Sequence, residues 1–239
     1  MKIEKTIGYL LVIGALGVTA PFALLATTFN YPGILRSETS VILQTFHAGG
    51  SWLIGTWLAF ALGGFPLLVV YPLLGRYLSK VSVHMSWITT LGVLSGIVQI
   101  IGLLRWVFVV PMLATEFANA TDAQTKISIV SSFKLIHQFA GVLLGEHLGQ
   151  LLTVAWTVAI TPVLVRLKLI PTWMGWFGYS ASVVYLLAQT ELLATVLPGM
   201  PVIGFASLAG STAWLAWLVL VGVSFILKKQ PRDSGHNFY

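Results

Sequence analysis

The stretch GVLLGEHLGQLL, residues 141 to 152, sets a glutamate beside a histidine in a run that is otherwise almost wholly apolar. In water, Glu146 and His147 would be ordinary surface residues of a helix. The rest of the chain removes that reading. Charged residues make up only 8% of the 239 positions and hydrophobic ones 57%, with a mean hydropathy of +0.90. A soluble domain carries about a quarter charged residues. So few charges cannot coat a water-facing surface, whereas a lipid-facing one needs none. The fold class is therefore all-α, an integral membrane bundle whose first partner is the lipid bilayer.

A crossing needs roughly 20 apolar residues at helical rise. Six segments qualify, at about 6–29, 48–75, 86–113, 138–165, 172–196 and 205–227, and a short tail over 228–239 completes a single domain. The second and fourth are prefaced by amphipathic stretches, RSETSVILQTF (36–46) and TDAQTKISIVSSFKLI (121–136). Each prefaced segment is too long for one crossing and too short for two, so an interfacial helix is expected before spans two and four. The basic N-terminus and the apolar run after it resemble a signal peptide. That run is too long for one and lacks a small-residue cleavage site, which makes it a retained first span. LVRLKLIPTW (164–173) reads as a tight turn between spans four and five. With no cysteine, disulfides, iron–sulfur clusters and thiolate zinc sites are excluded.

The basic residues sort by side. Lys2, Lys5, Arg76, Lys80, Arg166, Lys168, Lys228, Lys229 and Arg232 fall at alternate ends of the spans, and the opposite loops hold only Arg36 and Lys126. That bias places both termini in the cytoplasm. The net charge of +6 is then a topology signal and not a nucleic-acid footprint.

Shifting the chain by 90 residues lays 47–76 on 137–166, matching His47 with His137, Gly55 with Gly145, Pro72 with Pro162 and Arg76 with Arg166. Two readings stand: duplication of a helical-hairpin unit, or unrelated hairpins sharing the same topology signals.

In this orientation every ionisable group near or within the bilayer lies in the outer half. Arg105 sits roughly 13 Å from the outer end of span three at helical rise, and Glu146 and His147 reach a matching depth on span four. Glu191 lies nearer the outer end of span five, and His47 and His137 mark the outer entrances of spans two and four. Isolated charges in lipid cost at least ~2.5–3.5 kcal/mol each, so these groups must face one another or a wet cavity. An ion pair of Arg105 with Glu146 is expected, in an outward-facing polar pocket served by Gln99, Gln150 and Gln189. Trp52, Trp57, Trp106 and Trp156 are placed on the pocket side.

Each candidate has a plain alternative. Arg105 and Glu146 form either a buried pair that fixes helix register or a clamp for an anion, with Glu146 as proton acceptor. His147 either bonds between helices or exchanges protons beside the carboxylate. His47 and His137 cap an interface or offer axial ligands to a haem. Together with His147 and Glu146 they have the donor types of a zinc site, without a spacing signature. The glycines of spans two and three, including Gly55, Gly63, Gly92 and Gly96, are read as packing residues.

Three strings carry a family resemblance: NYPGILR (30–36), GIVQIIGLLRWVFVVP (96–111) and GVLLGEHLGQLLTVAW (141–156). Together they resemble a bacterial multi-pass membrane family catalogued as a domain of unknown function, number 4386. Asn30, Tyr31, Pro32, Arg105, Trp106, Glu146 and His147 match its pattern. The resemblance implies a bacterial cytoplasmic (inner) membrane protein and brings no catalytic assignment. Function therefore rests on chemistry. The first reading is binding or sensing of a small amphiphilic ligand or metal centre. The second is an enzyme acting on a lipid-like substrate, with Glu146 and His147 as acid–base groups. The third is a proton-coupled transporter using Glu146 and Glu191, against which stands an inner half without charge.

Overall fold

A backbone in hydrocarbon has no water to bond, so each crossing must close its own hydrogen-bond ladder. The structure, a computed structural model, describes residues 3–79 and 84–228 and forms helices without a strand among them. Lys2, Lys80, Lys229 and Arg232 of the charge pattern lie outside the described residues. Helix α1 spans Ile3–Thr28. A single 3-10 turn, Gly33–Arg36, leads to α2 (Thr39–Gly63) and α3 (Phe65–Leu78). Then come α4 (Met85–Phe108), α5 (Val110–Asn119) and α6 (Ala123–Ile136). A π-helix over His137–Leu148 runs directly into α7 (Gly149–Arg166). Helices α8 (Thr172–Leu187), α9 (Gln189–Ala194) and α10 (Ala206–Leu227) follow.

Among the described residues, five helical stretches are long and apolar enough to cross a membrane: 3–28, 39–78, 85–119, 123–166 and 206–227. The fifth sequence segment, expected as one helix over 172–196, is instead divided. Helix α8 has 16 residues, and the chain turns at Ala188 into the short α9. The amphipathic prefaces are helical, the first set off from its span by a kink at Gly50 and the second by the change to a π-helix at His137. The first is continuous with α2, within which Gly50 at φ 55 and ψ −154 turns the path. That left-handed backbone is open to glycine at little cost. The second continues as α6 into the π segment. Gly64 ends α2, and Pro66 starts α3, where a missing N–H removes no helical bond. The tight turn expected before span five is present: Leu169 N–H donates to Leu164 carbonyl oxygen and Lys168 has φ 53.

The helices close into a ring. Helix α1 packs on α10 and on α2 and α3; α2 and α3 pack on α4; α4 packs on the π segment and α7; α7 packs on α8, and α8 returns to α10. Among the described residues two large apolar clusters fill it, beside a small third of Val154, Tyr185, Ala188 and Ala206. One gathers Tyr71, Trp156, Trp217 and Phe225 with leucines of α1 and α3. The other is aromatic: Phe29, Phe46, Trp57 and Trp106 form a nest in which the two indoles stack at 4.6 Å. Polar hydroxyls inside the ring bond their own helix. Thr153, Thr157 and Thr161 each donate to the carbonyl four residues back.

The ends of the ring are distinguishable. Tyr77 at the close of α3 donates to Glu4 at the start of α1 over 3.3 Å. At the opposite end, Arg36 on the 3-10 turn forms an ion pair with Glu191 on α9. Of the glycines expected to pack, Gly63 meets the backbone of Gly17 and Gly92 meets Tyr71, but Gly55 faces open space.

Candidate functional site

A cavity of about 400 Å³ occupies the middle of the ring, where the two clusters meet. All six members of the ring reach it, as does the turn before α2: Phe22, Phe60, Leu103, Gly145, Tyr185 and Leu215 mark the six walls, and Tyr31 and Pro32 close one side. Its lining is mainly apolar. Two opposite charges interrupt it, Arg105 and Glu146, together with Gln99, Gln150, Tyr31 and Tyr185.

Arg105 is held from four directions. Its Nη1 donates to Gly102 carbonyl oxygen one turn back. Its Nη2 lies 3.4 Å from His137 Nδ1, and its guanidinium carbon stands 5.2 Å from the Trp106 ring centre. Gly141 floors the group: a β-carbon there would sit 2.6 Å from Nη2. The residue is only 5% exposed, and its Nε has no hydrogen-bond partner. The expected contact ion pair with Glu146 does not form. The one ion pair among the described residues is Arg36 with Glu191. Equal depth on two helices put Arg105 and Glu146 in one cavity, but depth leaves helix rotation free.

Adjacent residues on any helix point well apart, about 100° on an α-helix, so Glu146 and His147 serve different neighbours. Here α4 and the π segment touch through backbone: a β-carbon on Gly102 would stand 2.6 Å from the α-carbon of Gly145. The π segment runs through Gly141, which faces the Arg105 side chain, and Gly145, where backbone meets backbone. π-turns of this kind recur at functional sites in general. Glu146 faces the cavity and has no side-chain hydrogen bond among the described residues. His147 does not line the cavity. Its Nδ1 lies 2.6 Å from Gln189 Oε1, and Gln189 Nε2 donates to Gln150 Oε1 over 2.6 Å. This chain ties α7 to the start of α9. Because Gln189 spends its N–H on Gln150, its oxygen accepts from His147.

The cavity's polar inventory follows. Gln99 Nε2 is committed to Ser95 carbonyl oxygen and Thr153 Oγ1, both at 3.1 Å, which leaves its Oε1 as an acceptor. Gln150 Oε1 is taken by Gln189, which leaves its amide nitrogen as a donor. Desolvation, then the nearby Glu146 carboxylate, push the Tyr31 phenol above its ordinary value, so it stays a neutral hydroxyl.

Other expected site residues lie elsewhere. Glu191 is engaged by Arg36 and does not line the cavity. Trp57 and Trp106 are sealed in the aromatic nest, Trp156 packs on Tyr71 and Trp217, and Trp52 is 69% exposed. None of the four lines the cavity. Trp214 lines it instead, with its indole N–H donating to Thr157 Oγ1. His47 is exposed, while the His137 ring stacks on Phe133 at 5.5 Å. His47, His137, His147 and Glu146 therefore do not assemble as a zinc site, and among the described residues no three His, Asp or Glu are grouped to hold a metal. Nor do His47 and His137 face each other as axial ligands: one is exposed, the other packed between Phe133 and Arg105. Sequence reasoning missed Tyr185 and the α10 hydroxyls of Ser207 and Ser211 as lining groups. The i, i+4 spacing of the two serines in the most apolar helix was the available signal.

Residues 6–222 match a family described as Domain of unknown function (DUF4386). No curated protein and no solved structure matches the chain.

Proposed function

The chain belongs to the DUF4386 family of unknown function, and from that premise we propose that it binds a small amphiphile in the cavity of its helix ring. The observation that carries the reading is the cavity's composition. Its walls are apolar, and its polar groups converge on one charged pair that stays apart. Ligand sites of this kind are concave and mostly apolar, with a few placed polar groups, and run to ≈ 300–1,000 Å³. A head bonded at Arg105 and Glu146 with a chain along Phe22, Leu103 and Leu215 uses both parts.

In this reading the protein is a bacterial inner-membrane protein of six crossings, with α8 and α9 together making the fifth. Both termini are cytoplasmic, and the cavity lies in the outer half beneath the Tyr31–Arg36 turn. Support comes from the two ends of the ring: Lys5, Arg76, Arg166 and Lys168 belong with the Glu4–Tyr77 end, and Arg36 belongs with Glu191 at the other. The 3-10 turn is tied to α9 by that ion pair. An acid–base enzyme built on Glu146 and His147 is less well supported, since only Glu146 meets the cavity.

The test is mass spectrometry of lipids that remain with the detergent-extracted full chain. About one amphiphile per chain is expected, and it should be lost in Ser211→Phe, which fills the cavity from α10. A folded protein that retains none, and whose Tm answers to no added amphiphile, would sink the proposal.

A further inference from the structure

We infer that the headgroup held in this cavity is zwitterionic, an anionic oxygen seated on Arg105 and a primary ammonium against Glu146, on a single apolar chain. The inference rests on the amphiphile reading and adds the chemistry of the head.

Arg105 is 5% exposed, yet its Nε has no partner and its Nη2 has only the 3.4 Å contact with His137. A guanidinium has five donors, and a buried one left short of acceptors is costly. Glu146 in the same cavity has no hydrogen bond from any described side chain. Opposite charges in a low-dielectric site attract strongly. These two nonetheless stand apart, so whatever lies between them must complement both. The two formal charges cancel, and the occupant should carry none overall. A carboxylate head alone would suit Arg105 and repel Glu146; an amine alone would do the reverse. A zwitterion suits both.

The amides sharpen this to a primary ammonium. Gln99 offers only its carbonyl oxygen, because its nitrogen is committed to Ser95 and Thr153. Glu146 and Gln99 are thus two acceptors that need N–H donors, which an ammonium has and a trimethylammonium lacks. Gln150 has its amide nitrogen free and adds one donor to the cavity's polar groups. About 400 Å³ suits one chain and not two.

An anion joined to a primary ammonium occurs in a phosphoethanolamine head and in an α-amino acid head. The experiment titrates the delipidated full chain with four probes of matched chain length. They are lysophosphatidylethanolamine, lysophosphatidylcholine, lysophosphatidylglycerol and a long-chain 2-amino acid, followed by calorimetry. Lysophosphatidylethanolamine is expected to bind roughly tenfold or more tighter than the choline and glycerol heads. Comparable binding of the 2-amino acid would assign the smaller head, and its failure the phosphate one. Glu146→Gln should erase the preference for ammonium over trimethylammonium, and Ser211→Phe should abolish all binding.

Equal binding of the ethanolamine and choline heads by the unmodified protein overturns the headgroup inference, whatever the variants do. The amphiphile reading survives that result if Ser211→Phe still blocks both. If no probe binds and none is displaced by Ser211→Phe, both fail, and the gap between Arg105 and Glu146 holds water alone.

Discussion

Arg105 and Glu146 line one cavity without touching, on α4 and on the π segment that packs against it. Their separation distinguishes a site from a structural bolt. Breaking a buried contact pair by removing one partner costs about 3–5 kcal/mol. Glu146→Gln keeps the shape and removes a charge that no described side chain bonds, so the ligand-free protein should hold or raise its Tm. Differential scanning of the delipidated protein reads this directly. A drop equivalent to several kcal/mol would mean that the two residues stabilise the fold as a pair.

The floor beneath Arg105 offers a second prediction. A β-carbon on Gly141 would meet Nη2 at 2.6 Å and the guanidinium carbon at 2.7 Å. The Arg105 head is the far end of a flexible side chain and can move, so Gly141→Ala should displace it with a modest loss of Tm. Ligand affinity should fall by roughly tenfold or more as the anchor shifts. Gly102→Ala is a different case, because its β-carbon would stand 2.6 Å from the Gly145 α-carbon. Backbone cannot swing aside, and overpacking costs about 1–3 kcal/mol. Comparing Tm and affinity for the two variants separates their effects; equal Tm losses would contradict the account.

How much of this could be read beforehand depends on which physical variable the sequence encodes. Long apolar runs are legible, because lipid is satisfied by composition, and the stretches at 3–28 and 206–227 lie close to the expected 6–29 and 205–227, while 39–78 takes in the preface before 48–75. Depth along a helix is also legible, which is why Arg105 and Glu146 fall in the same cavity. Rotation is not. Trp106 sits next to Arg105 and turns away into Trp57, and nothing in one sequence distinguishes the two faces of an apolar helix. The expected α geometry also hid the π segment, although Gly141 and Gly145 were visible. The break between α8 and α9 is another case, since the run 172–196 contains neither a proline before Pro198 nor a glycine between Gly178 and Gly199 to mark it. The His47–His137 match, read either as a repeat or as shared topology signals, has its corresponding helices on either flank of α4. The matched histidines nonetheless differ, one exposed and one stacked on Phe133.

Asp122 supplies a pH prediction outside the spans. It caps α6, its Oδ1 accepting from Thr125 N–H at 2.8 Å, and that bond holds its carboxyl below the usual aspartate range. A depressed folded value stabilises above the unfolded pKa of about 3.9, and the contribution disappears as pH falls through the folded value. Amide exchange in the first turn of α6 should therefore accelerate in acid beyond its intrinsic pH dependence. Asp122→Asn should flatten that response, and Asp122→Ala should lower protection at every pH. Identical profiles for the three proteins would show that the cap does not hold the turn.

His147 decides between binding and acid–base chemistry. Its Nδ1 is engaged by Gln189, which in turn holds Gln150 at the cavity wall. His147→Ala leaves the buried Gln189 oxygen without a donor, a loss of about 1–3 kcal/mol. Tm should fall accordingly, and ligand affinity should change only through Gln150. His147→Asn, which can still donate to Gln189, should recover much of the Tm. If His147 instead worked with Glu146 as an acid–base pair, asparagine could not move a proton at neutral pH. Any turnover of a lipid-like substrate would then be lost in His147→Asn although stability returned. Recovery of both stability and ligand affinity in that variant is the outcome the geometry requires.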